Sequence, residues 1–523
     1  MTAKGKHWHQ MKNEGIKAKL EKSRFTKFAL SSVSAIILKV VTFLCTFILT
    51  RLIIKNYGSE INGMIGSIGQ FLGFITLLEG GIGGVARATL YKPLSCKDHQ
   101  KIEKIVTYLE RFFRILALFF IAYALVIAFV FPVFSDSHSF YFTFFLVLIL
   151  SASLFSEYFF GMSYTILLAS DQKGYISNFV IFLTALLNFV VCLVLIKVGC
   201  SIHIVKLASV GMLILRPIVL SIYCKRKYRL KKVKLVKKEN FLPQKWSGFG
   251  VHIAYYLHRN TDTFLLTLFL SLTMVSVYSV YNMVISGILT IIGSLSMGIE
   301  AAFGNMYAKH EFSTLKDRFK TYMLYHQFLS TFLLSSTMVL IIPFVKIYTA
   351  GIEDANYVQP IFALIFVLSE FVYCLRVPYN DLMVATDSFK KIQWGAFGEA
   401  VINIAVSVIL VNLIGLPGVA IGTLLAMVFR LIHFLIFFRK HELKLETGWF
   451  FKMTITSFSI FSVNCLVSRF LNVSPGTTYF TWVIYAIVVC IFSLMYCFLG
   501  YLIVCYKQMN NLMHYFLRKV KTK

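Results

Sequence analysis

The sequence predicts an all-α polytopic membrane protein of about fourteen transmembrane helices, in which two parallel six-helix repeats form two lobes followed by two further helices. Three observations carry that prediction. Of 523 residues, 58% are hydrophobic and 14% charged, against roughly 25% charged in soluble domains. Apolar runs near the roughly 20 residues needed to cross a bilayer follow one another from about Phe28 to Cys505. The pattern of the first six recurs in the next six, about 215 residues on.

In chain order the spans are expected at 28–54, 61–90, 112–134, 140–168, 175–198, 202–224, 246–271, 274–308, 322–350, 357–386, 392–414, 416–438, 450–471 and 479–506. They divide the chain into a basic tail (1–27), a first lobe (28–224, spans 1–6) and a basic linker (225–245). A second lobe (246–438, spans 7–12), two extra spans (439–506) and a basic tail (507–523) follow. The first apolar run is too long for the core of a signal peptide and is read as a retained span.

The net charge of +29 is concentrated in the tails, the linker and a few loops. Threading fourteen spans puts these clusters on one side, and the opposite loops near 132–139, 272–275 and 412–417 contain no Lys or Arg. Both termini are therefore expected in the cytoplasm, with the cations against anionic headgroups and no role in nucleic-acid binding. The ten cysteines are scattered without metal-site spacing, and no metal or other cofactor is expected.

Residue matches support the duplication. Ser156-Glu157 matches Ser369-Glu370, Asp171 matches Asp387, Asn188 matches Asn403, Arg216 matches Arg430, and Tyr91 matches Tyr307. Six spans per half gives both halves the same topology, so the repeats are parallel and enclose a cavity between two lobes that can rock. Span 2 holds nine glycines between Gly58 and Gly84, which suit close helix packing or a helix that bends.

Ionisable groups inside a bilayer normally face the bundle interior or a wet cavity. In span 1, Lys39, Thr42 and Thr46 share a polar stripe with Ser32 and Thr50. In span 7, His252, Tyr255, His258, Arg259 and Asp262 share one face, and the repeat offset lays Tyr255 over Lys39 and Asp262 over Thr46. His258 and Arg259 lie four and three residues before Asp262, so either can pair with it. The set either orients the span, or Lys39 and Arg259 attract an anion while Asp262, with His258 or Glu79, titrates. Arg376 sits mid-span as a further cavity cation. Arg87, Arg216 and Arg430 are secondary cations, the last two read as snorkelling to the inner interface. Guanidinium forks favour phosphate or acidic cargo.

Several stretches carry a family likeness. RLIIKNYGSEINGMIGSIGQFLGFITLLEGGIGGVARATLY (51–91), ILLASDQKGYISN (166–178), HRNTDTFLLTLFLSLTMVSVYSVYNMV (258–284) and DLMVATDSFKKIQW (381–394) resemble the polysaccharide branch of the multidrug/oligosaccharidyl-lipid/polysaccharide exporter superfamily. The resemblance runs over essentially the whole chain. It implies a flippase, not an enzyme, in the bacterial inner membrane. Such a protein passes undecaprenyl-diphosphate-linked oligosaccharide outward by alternating access for O-antigen, capsule or exopolysaccharide assembly. It implies coupling to the proton gradient or membrane potential, and partnership with polysaccharide polymerase and chain-length machinery. The alternatives are a peptidoglycan lipid-precursor flippase and a cation-coupled multidrug exporter of the same superfamily.

Overall fold

The computed structural model describes residues 30–231, 233, 260–470 and 476–506, apart from 32, 80, 81, 136, 137, 297, 442 and 505. Among the described residues there are thirteen helices long and apolar enough to cross a membrane, and the fold is all-helical. Most of the seventh expected span, 246–271, lies outside the described residues; its residues 260–269 are helical. The helices leave large apolar side chains such as Phe119, Trp394, Ile409 and Ile503 exposed, as suits a bundle whose surrounding solvent is lipid.

Spans 2 and 8 differ from the sequence reading in the same way. Span 2 is broken into Ser59–Gly73, the single turn Thr76–Glu79, and Ile82–Cys96. Span 8 is broken into Leu272–Gly293, a tight turn Ser294–Ser296, and Ile299–Ala308. Gly298 caps the last piece with φ +82°, a conformation that a side chain would strain. The repeat thus extends to the position of the break. Span 4 is one run, Phe140–Ser170, with a π-helical widening at Glu157–Gly161.

The chain divides into two compact units: Met1–Tyr57 with Phe71–Phe249, and Gly58–Gln70 with Gly250–Lys523. The segment 58–70, expected in the first lobe, therefore packs within the second unit. Its close approach depends on Gly63, where a Cβ would fall 1.7 Å from the Leu272 carbonyl oxygen. Small residues let membrane helices touch backbone to backbone.

The two extra spans, Gly448–Phe470 and Tyr479–Val504, pack on span 9 (Phe312–Tyr348) through hydroxyl and amide groups. Tyr501 bonds Thr331 (3.0 Å) and Ser457 (2.6 Å). Asn464 Nδ2 donates to Ser335 (2.9 Å) and Ser493 (2.7 Å). Such bonds supply specificity where lipid removes the hydrophobic drive between helices.

Candidate functional site

In the second unit a line of hydrogen bonds ties segment 58–70 to its neighbours. Asp354 accepts from the Ser59 backbone N–H (2.6 Å) and hydroxyl (2.7 Å), and Ser59 and Ser276 both bond the Tyr357 hydroxyl (2.6 and 2.9 Å). Asn62 Nδ2 donates to Ser276 (2.8 Å), and Ser67 bonds Thr267 (2.7 Å). Burial holds the Tyr357 phenol, in the loop before span 10, above its ordinary pKa. Tyr357 therefore works as a neutral hydroxyl.

Asp262 is buried at 5% exposure. It accepts from Thr423 Oγ1 (2.9 Å) and the Tyr278 hydroxyl (3.2 Å). Asn403 Nδ2 donates to Thr423 (3.4 Å), and Ser407 donates to Asn403 Oδ1 (3.3 Å). These partners come from spans 8, 11 and 12, so Asp262 is held across the unit by groups far from it in sequence. His258 and Arg259, expected beside it, lie outside the described residues with His252 and Tyr255.

Arg376, expected from the sequence as a cavity cation, is paired within the fold. Its guanidinium is 2.5 Å from Glu399 Oε1 and lies over the Tyr373 ring. Arg430, read as a snorkelling charge, is instead 4% exposed. Its Nε lies 3.5 Å from Glu399 Oε2, and its Nη1 donates to the Ile392 carbonyl (3.0 Å). One carboxylate thus compensates two arginines from spans 10 and 12, since the cost of an unpaired charge in this interior exceeds that of a shared partner. A second buried acid, Asp381, accepts from the Tyr322 hydroxyl (2.5 Å), which also bonds Ser296 at the break of span 8 (2.9 Å).

In the first unit, Arg216, read as a snorkelling charge, is partly exposed and its Nη2 reaches Glu157 Oε1 (3.3 Å) at the π-helical turn. Glu110 bonds Arg114 (3.2 Å) and Tyr164. Lys39 and Thr46 are exposed, and Thr42 donates to the Leu38 carbonyl of its own helix (2.7 Å). Glu79 is half-buried, and Arg87 is exposed with Nε against the Gly83 carbonyl (3.3 Å). In the loop after span 4, Asp171 accepts from Lys173 (2.6 Å) and Tyr228 (2.6 Å). Burial, with Asp171 second, holds the Tyr228 phenol well above its usual pKa. The sequence reading missed Asp354, the roles of Thr423 and Ser407, and Lys206 in span 6. Asn403 was visible only through its match to Asn188. Among the described residues there is no cluster of three or more metal-binding side chains.

Solved structures share this arrangement. A lipid II flippase, MurJ, in an inward closed conformation aligns with TM-score 0.68 and 15% identity, covering 93% of this chain and 100% of its own. The fold is MurJ-like and MATE-like. A eukaryotic MATE transporter aligns at TM-score 0.55 and 13% identity, over 84% of this chain and 99% of its own. An inward-facing multidrug resistance MATE family transporter of the MOP superfamily aligns at 0.51 and 15%, over 76% and 96%. No family model matches the sequence, and no curated protein matches it.

Proposed function

We propose that this protein is a flippase for polyprenyl-diphosphate-linked oligosaccharide, of the polysaccharide branch, working by alternating access in a bacterial inner membrane with both termini cytoplasmic. The observation that carries the reading is coverage. The lipid flippase matches 93% of the chain, whereas the two MATE transporters match 84% and 76%. A lipid-linked cargo also suits an exposed lysine inside span 1, because diphosphate and acidic sugars need cations. Lys39, without an ion-pair partner among the described residues, is the first candidate to meet them; Arg259 is the second, by its sequence position.

The work of such a protein is differential binding by two conformations, with no bond made or broken in the cargo. The hydrogen bonds from segment 58–70 to Ser276, Thr267, Asp354 and Tyr357 suit a contact that must open and reform. Each is worth about 0.5–1.5 kcal/mol net, small enough for a cycle to break them in turn. Asp262 is the acid we assign to coupling with the proton gradient or membrane potential, being a buried carboxylate partnered by hydroxyls.

The test is deletion of the gene in its host, followed by analysis of surface glycan and lipid-linked sugars. Loss of surface polysaccharide with its repeat unit accumulating on polyprenyl diphosphate is the expected result. Unchanged glycan with accumulating lipid-linked peptidoglycan precursor would replace this reading by that of a peptidoglycan-precursor flippase, in line with the lipid II flippase MurJ among its structural neighbours.

A further inference from the structure

A lysine that the mechanism above does not use lies inside span 6. The helix Ile202–Lys227 buries Ile202, Val210, Pro217 and Leu220, all within about 40° of Lys206 at 100° per residue. Its lipid-side residues, Leu215, Val219 and Ile222, point the opposite way and are exposed. Lys206 thus occupies the middle of the inward stripe, close to the helix end opposite the Lys225–Lys227 cluster, and is half-buried. A lysine serving only to reach headgroups belongs on the lipid side. No carboxylate among the described residues lies within ion-pair distance of Lys206. Two further facts bear on what it faces. Leu213, about 20° away on the same stripe, is 37% exposed, so the stripe borders open space at mid-helix. In the second unit the equivalent of Lys206 is Ala420, which is buried, so packing at this place does not call for a long side chain.

Membrane proteins keep ionisable groups inside their spans where they face a wet cavity, a partner or a ligand. We infer that Lys206 is a cargo-contacting, specificity-determining residue that binds an oxyanion, phosphate or sugar carboxylate, of the transported molecule. This rests on the flippase reading above.

The test uses the purified full-length protein in lipid nanodiscs, titrated calorimetrically with farnesyl diphosphate and, separately, with glucuronate. Lys206→Met is expected to weaken one of the two by about tenfold or more, while Lys206→Arg stays within about threefold. The probe that responds identifies whether the oxyanion belongs to the diphosphate or the sugar. The Lys206→Met unfolding midpoint should equal or exceed that of the wild type, because a half-buried charge with no carboxylate partner among the described residues has been removed. Lys206→Ala, copying Ala420, repeats the measurement in a second background. Equal binding of both probes by wild type and Lys206→Met overturns the inference alone. A fall in midpoint or failure to fold in both variants also overturns it, in favour of a structural role. Binding of neither probe by the wild type overturns the flippase reading and this inference together.

Discussion

The same polar corner is built twice in this chain, once in each unit, and the two copies diverge in charge. In the first unit Cys192 Sγ donates to Asn188 Oδ1 (3.4 Å) and lies 4.0 Å from the Val205 carbonyl. In the second, Ser407 Oγ donates to Asn403 Oδ1 (3.3 Å) and to the Val419 carbonyl (3.3 Å). The three matched positions are 214 or 215 residues apart, so duplication has carried over individual hydrogen bonds as well as spans. Around that shared frame the first unit holds the cation Lys206, and the second holds the anion Asp262 bonded to Thr423. An inherited scaffold of uncharged groups has been given opposite charges.

The ion pairs differ between the units in a similar way, and the sharpest break of the comparison is there. Glu399→Ala strands Arg376 and Arg430 in the interior and should cost about 3–5 kcal/mol, seen as a lower unfolding midpoint and reduced membrane yield. Glu157→Ala, whose pair with Arg216 is partly exposed at 24% and 28%, should cost about 1 kcal/mol or less in the same assay. Equal losses would mean that both pairs are equally buried in the working protein.

Gly63→Ala drives a methyl into the Leu272 carbonyl and should cost about 1–3 kcal/mol in the second unit. A thermal melt reads that loss, and export of the lipid-linked cargo should fall with it. Asp262→Asn keeps shape and most hydrogen bonding, so the midpoint should hold while flipping in proteoliposomes loses its dependence on an imposed proton gradient. Retained gradient dependence would move the coupling role elsewhere. Ser407→Cys, which gives the second corner the first corner's residue, should change stability by less than about 1 kcal/mol. A larger loss would show that the two corners are less alike than their hydrogen bonds imply.

Much of this was readable from the chain. Each span is announced by its own apolar run, because a helix in lipid satisfies its backbone internally and needs no partner to be recognised. The repeat was readable because polar matches such as Asn188 with Asn403 keep their order and spacing. The break in span 2 was hinted at by its glycines, which suit a helix that bends, but that in span 8 was not, since its turn is set by local backbone geometry at positions such as Gly298.

By itself, then, the sequence determined the class, the spans, the duplication and the placement of surface charge, all of which depend on local composition. Only the tertiary structure decided which intramembrane charges are spent within the fold. Arg376 finds Glu399 on the next span, Arg430 shares it, and Asp262 meets Thr423 from a helix 161 residues away. Low-dielectric surroundings force such groups to find partners, but which partner depends on how helices distant in sequence pack, and no periodicity records that.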